Sequence, residues 1–181
     1  MREELTARGV VIGRMPFSNT SLLVTWATGA AGVIKTMAKG ALGPKPAPGL
    51  ALDLFYLCEI RYAPSPRSEI AALREARLLH PFLGLRREWA VLLCAQYFAD
   101  LLAALSEPHG EMNDHFEIFE KALVHLEAKA PSRKLVDRYE TRLLELSGLS
   151  AEGPRALRDA VENHHHRVPA TRQRLLDALK S

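Results

Sequence analysis

Cysteine is scarce in this 181-residue chain: there are two, Cys58 and Cys94, each inside an apolar segment. Two thiols cannot close a four-ligand zinc site by themselves. In such surroundings they read as buried free thiols in a reducing, cytoplasmic compartment. Long apolar runs are missing too, and "GLALDLFYLCEI" is interrupted by Asp53 and Glu59, which excludes a membrane span there. The opening "MREELTARG" has two early acids and no apolar segment, unlike a secretory signal. No Ser/His/Asp, Cys/His or paired-carboxylate arrangement stands out, so the residues do not point to an enzyme.

The absence that says most is of acids near the start. Residues 5–52 hold five cations (Arg8, Arg14, Lys35, Lys39 and Lys45) and no Asp or Glu. Extended to residue 67, with Arg61 and Arg67 against Asp53 and Glu59, the net charge is +5; residues 68–181 carry −1. A basic first third on a near-neutral remainder fits contact with a polyanion.

That third also contains "GAAGVIKTMAKGALGPKP", which comes close to a phosphate-binding loop: Gly29, four residues, then a gap position before Lys35-Thr36. The motif needs glycine at the gap position, and here it is Ile34, β-branched and stiff. It should also open a helix, but Gly40, Gly43, Pro44 and Pro46 follow. The stretch reads instead as a strand over residues 33–38 that leaves a tight turn and enters a basic loop.

"ARGVVIGRM", "SLLVTWAT" and "GVIKTMA" read as three short strands. Over residues 52–62 the even positions are apolar and Asp53, Glu59 and Arg61 alternate with them, which predicts a fourth strand. Short turns between such strands suit a small closed antiparallel barrel. By propensity "SEIAALREARLLH" reads as a helix. "HPFLG" (residues 80–84) marks a boundary between domains 1–80 and 81–181. Beyond it the pattern is helical. Residues 85–105 form a buried central helix, and Asp114 and Glu117 a capping box for the next. A third helix covers residues 132–147 and ends at Gly148, a fourth opens at Pro154, and a short one follows Pro169.

"GVVIGRMPFSNTSLLVTWATGAAGVIKTMAKGALGPKP" resembles the start of the RecO family of bacterial DNA repair and recombination mediators. "LALDLFYLCEIRY", "YETRLLELSGL" and the closing "NHHHRVPATRQRLLDAL" continue the likeness more loosely, in the family's order. The resemblance implies an α+β chain: an N-terminal five-stranded OB-fold barrel, with "SEIAALREARLLH" as its fifth strand, then an all-α domain. It implies a non-catalytic mediator that binds single- and double-stranded DNA and anneals strands. With RecR, such a protein helps load recombinase onto DNA covered by single-stranded-DNA-binding protein. Two departures are visible. Leu42 and Gly43 stand where the family's loop has paired arginines. The four-cysteine zinc module that many members carry after "LELSGL" has no cysteines here, so this looks like a short member without that zinc. An RNA-binding barrel, or an adaptor with weakened DNA binding, are the alternatives.

Arg14, Lys35, Lys39, Lys45 and Arg61 are the candidate DNA-backbone contacts. Trp26, Phe17 and Tyr56 are candidates for base stacking. Tyr56 lies on the apolar side of its strand, and Trp26 fits a stacking or a core role equally well. Lys134, Arg138 and Arg142 recur at i, i+4 and i+8, beside Leu135, Tyr139 and Leu143. Through the resemblance, this stripe with Tyr139 is the candidate dock for the acidic, hydrophobic tail of single-stranded-DNA-binding protein. The run His164-His165-His166 cannot turn all three rings to one ion on a helix, so no metal and no other cofactor is expected.

Overall fold

A computed structural model describes residues 4–43, 52–106, 110–149, 157, 161–162 and 167–180. Two compact units are present: Met1–Pro81 with Glu107–Asn113, and Phe82–Ser106 with Asp114–Ser181.

The first unit is a closed five-stranded barrel of β1 (Leu5–Pro16), β2 (Leu22–Thr28), β3 (Gly32–Ala38), β4 (Leu57–Ser65) and β5 (Ser68–His80), in the order β1-β2-β3-β5-β4. All neighbours are antiparallel except β3 and β5. This is the OB-fold topology, closed so that no strand edge is left open. Its core gathers Val11, Val24, Trp26, Cys58 and Ile60, all fully buried. Burial pushes the Cys58 thiol up to about 12, which keeps it protonated and inert.

"SEIAALREARLLH" is β5, the fifth strand that the resemblance implies, and not the helix that propensity alone suggests. Its buried residues are Ala71, Leu73 and Ala76, spaced two and then three apart. The register explains the jump, since Arg61 faces Glu75 while Tyr62 faces Leu73, leaving Arg74 as an extra residue. A bulge therefore gives a strand a helix-like spacing. The fourth strand also begins at Leu57, not at residue 52. Ahead of it Phe55 turns into the left-handed region, φ 62°, with its ring fully buried. Its amide donates to Val11 O, and Val11 N donates to Tyr56 O (2.8 and 3.0 Å). Burial of the ring offsets a backbone cost of about 1–3 kcal/mol.

Gly29, the first residue of the phosphate-loop-like stretch, has a steric role. A Cβ there would stand 2.7 Å from Asn113 Oδ1, and its carbonyl accepts from Met112 N.

In the second unit a 3-10 turn (Leu83–Arg86) precedes the helices α1 (Trp89–Ala104), α2 (Asn113–Ala128), α3 (Arg133–Leu146) and, near the end of the chain, α4 (Thr171–Ala178). The central helix thus starts later than residue 85. Glu88, between turn and helix, is extended, φ −145° and ψ 147°, which ends the turn before the helix begins, and the side chain of Arg87 donates to Gly84 O and Glu127 O. As expected, α1 is buried on most sides, including Cys94, a free thiol like Cys58. Ser132 caps α3 by accepting from Leu135 N, and Gly148 ends it at φ 68°. Asp114 is not a cap: it lies in the first turn of α2, where its charge suits the helix dipole, while Glu117 pairs with Lys121. The helix expected from Pro154 lies outside the described residues except at 157, 161 and 162, and so do Lys45 and His164 to His166. Among the described residues no helix is long and apolar enough to cross a membrane.

Candidate nucleic-acid interface

The acid-free basic segment does not stay acid-free once folded. Arg14 meets Asp53 at 3.1 Å and also donates to Leu52 O. Arg61 holds Glu4 at 2.8 Å and Glu75 at 3.0 Å, and its hydrogen bonds to Glu75 and Glu4 raise its pKa further. Arg74 shares Glu4, and Arg77 takes Glu59. Both Arg14 and Arg61 are half exposed, so their ion pairs are weakened by solvent and a phosphate can replace them.

Lys35 and Lys39 differ. Both side chains are exposed and hold no ion pair among the described residues. Lys35 stands mid-strand, across from Thr25 of β2 and Ile70 of β5. Lys39 follows β3 directly, where the chain turns at Gly40. A third exposed cation without an ion pair there, Arg67, sits in the turn between β4 and β5. In sequence Arg67 enters only the net charge; the signal for it is a lone cation in "PSPRS", just after two prolines that favour a turn. Arg67 and Lys35 border one hollow of about 520 Å³, with Ile34 and Tyr62 as apolar wall and Glu69 at the edge.

Trp26 is a correction. It is fully buried, and its Nε1 donates to Thr36 Oγ1 at 2.8 Å inside the barrel, so no ring face is open to a base. Tyr56 packs against the same core. Phe17, in the turn between β1 and β2, is 62% exposed.

In the helical unit, α2 and α3 border a hollow of about 600 Å³. Ile118, Leu135 and Leu146 supply apolar wall, Arg138, Arg142 and Lys121 positive charge, and Asp114 and Glu117 negative charge, with Glu117 paired to Lys121. Arg142 is held by Glu145 at 2.8 Å, whereas Arg138 has no ion pair among the described residues. Lys134 is exposed but does not border the hollow. Tyr139 does, yet it is 3% exposed: its ring stacks on Phe98 at 3.9 Å, and its hydroxyl donates to Phe98 O. It is a wall rather than a reaching side chain, and burial raises its pKa.

One cluster had no clear sequence signal. Glu140 is buried on α3 and accepts from the Tyr97 hydroxyl (2.6 Å) and from Arg172 Nε and Nη2 (2.7 and 3.0 Å). Arg172 belongs to the closing "VPATRQRLLDAL". The hydrogen bond to Glu140 raises the Arg172 pKa, and desolvation followed by the Glu140 charge raises that of Tyr97.

Residues 1–82 match the family described as "Recombination protein O N terminal". Proteins named "DNA repair protein RecO" are similar over more of the chain. That of Rhodopirellula baltica is 30% identical over 144 residues, 78% of this chain and 52% of the relative. That of Anaeromyxobacter dehalogenans is 27% identical over 148 residues, 82% and 58% respectively. That of Xanthomonas campestris pv. campestris is 32% identical over 124 residues, 68% and 50%. The chain spans about half the length of the curated relatives it matches.

Proposed function

The chain belongs to the RecO family, and on that premise we propose that it is a non-catalytic DNA repair protein whose barrel holds single- and double-stranded DNA by the phosphate backbone. The observation that carries this reading is the set of exposed cations that hold no ion pair among the described residues, Lys35, Lys39 and Arg67, on a closed OB-fold barrel. Arg14 and Arg61 join them by exchanging a carboxylate for a phosphate. Neutralising phosphates on two strands lowers their mutual repulsion, which promotes annealing. As a mediator the protein acts with RecR to load recombinase onto DNA coated with single-stranded-DNA-binding protein.

Such contacts read no bases, so affinity should be governed by salt. With about three to five phosphate contacts, log K against log salt falls with a slope of roughly −2 to −4 for single strands. Fluorescence titration of an oligonucleotide across a salt series measures it. A flat response, or a strong preference for one base sequence, removes the barrel as a backbone binder.

The hollow between α2 and α3 supports the partner side of the reading. An acidic tail ending in an apolar residue can set its carboxylates on Arg138 and Arg142 and its apolar end against Leu135 and Leu146. Exposed ion pairs give about 0–1 kcal/mol each, so a micromolar affinity near −8 kcal/mol draws on the apolar wall as well. Reversing Arg138 and Arg142 to Glu should weaken a tail peptide at least tenfold and leave binding of naked DNA unchanged. Equal peptide affinity for variant and wild type moves the dock elsewhere.

A further inference from the structure

We propose that the hollow between α2 and α3 admits its peptide in one direction, with the apolar end at Leu146 and the acids toward Lys134, and that Asp114 and Lys134 set that direction. The proposal rests on the reading of the hollow as the dock for an acidic tail, and adds which way the tail lies and the residues that decide it.

The axis of the hollow follows from how its helices meet. Only residues 129–132 join α2 to α3. At the far end of the pair His115 Nε2 and Ser147 Oγ stand 3.1 Å apart. The Ser147 hydroxyl donates to Leu143 O at 2.9 Å, so the ring nitrogen is the donor to Ser147. This ties the start of α2 to the end of α3, and the two helices run antiparallel. Asp114 and Leu146 therefore border one end of the hollow, and His125 and Leu135 the other.

Charge is unequal along that axis. Glu117 pairs with Lys121, and Arg142 with Glu145. The other two charged residues at the hollow, Asp114 and Arg138, hold no ion pair among the described residues. Burial lowers the His115 pKa although Asp114 opposes it, so that ring does not neutralise Asp114. Lys134 stands one turn before Arg138 on α3, outside the hollow, exposed and likewise without an ion pair among the described residues. An acid thus marks the Leu146 end, and two cations lead away past the Leu135 end.

The spacing selects the direction. α3 rises about 1.5 Å per residue, and an extended peptide advances about 3.3 Å. A peptide whose last side chain lies against Leu146 brings the residue about four places earlier to Arg138, and the one about five or six places earlier to Lys134. Acids there meet two cations. The terminal carboxylate falls beside Arg142, which can exchange Glu145 for it, and only this one charge faces Asp114. Laid the other way, the acids fall toward Asp114 and a single terminal carboxylate is left for both cations. Coulomb energy favours the first arrangement.

Two synthetic peptides test it by fluorescence anisotropy against the full chain at low salt. One has acids about four to six places before an apolar last residue with a free carboxylate, and the other is the same peptide amidated at its end. Asp114 and Lys134 are exposed, so replacing either should leave folding unchanged. Lys134→Glu should weaken both peptides alike, by about fivefold. Asp114→Asn should tighten the free-ended peptide by about threefold and leave the amidated one unchanged. The opposite pattern, with Lys134→Glu weakening only the free-ended peptide and Asp114→Asn tightening both, reverses the direction and overturns the proposal. So does the absence of any effect from either substitution. The variant carrying Arg138→Glu and Arg142→Glu separates the two levels. If it binds both peptides like wild type, or if wild type binds neither, the reading of the hollow as a dock fails, and the direction fails with it.

Discussion

Replacing Lys35 and Lys39 together by Glu should abolish DNA binding and strand annealing while the protein melts as wild type does. Both side chains are exposed and hold no ion pair among the described residues, so their removal strands no buried charge. The effect on DNA is large because each reversal removes an attraction and adds a repulsion. At about 4 Å in water each of these is worth about 1 kcal/mol. Two reversals therefore amount to roughly 4 kcal/mol before screening, on the order of a hundredfold or more in affinity at low salt. The same substitutions at Arg14 and Arg61 should do less to binding, since those charges are already shared with Asp53, Glu4 and Glu75. Electrophoretic mobility shift for binding and a fluorescence annealing assay, beside a thermal melt, decide the matter. Annealing at the wild-type rate by a normally melting double variant would move the DNA site off β3.

That contrast could not be read from the chain. The sequence makes Arg14, Lys35 and Lys39 look alike, because all three lie in the acid-free segment 5–52, and it gives no sign that Arg61 is held by Glu4 and Glu75. Glu4 and Glu75 reach Arg61 across 57 and 14 positions. Only strand pairing brings them together, so the distinction between paired and free cations belongs to the tertiary structure. Trp26 is a different case, since its position was legible. It shares its period with Leu22 and Val24, and two-residue alternation carried through β2 puts all three inside the barrel. What sequence lacked was a partner for the indole N–H, which the fold supplies in Thr36.

The strands β1 to β3 were legible because β-branched and aromatic residues lie between turn residues. For β5, composition and spacing both misled: Ala, Leu, Glu and Arg favour a helix, and the bulge at Arg74 broke the two-residue period. The resemblance corrected what periodicity could not, because a closed barrel requires a fifth strand. In the helical unit the apolar stripes and the stop of α3 at Gly148 were readable. Glu140 was not, because a lone acid beside an apolar stripe gives no sign of a distant arginine.

The buried cluster around Glu140 leads to the largest expected effect on stability. Its carboxylate is reached by Tyr97 from α1 and by Arg172 from α4, and its side chain is 10% exposed. A charge so placed is costly without its partners, and breaking a buried pair from one side costs about 3–5 kcal/mol. Arg172 is about a quarter exposed, so water compensates in part, and Arg172→Ala should destabilise the helical unit by about 2–4 kcal/mol. That is a large fraction of the 5–15 kcal/mol typical of a folded domain. The cost lies in the stranded carboxylate, so removing both ends should do less harm than removing one: Arg172→Met with Glu140→Leu should be more stable than Arg172→Ala alone. Because the chain has two units, a single melting temperature would mix their transitions. Hydrogen exchange in a urea series, read on the amides of α3 and α4, isolates the helical one. Arg172→Ala should speed exchange in both helices and leave the barrel strands protected as before. A change within about 0.5 kcal/mol would mean that Tyr97 alone satisfies Glu140, and that α4 is held by Leu175 and its apolar contacts.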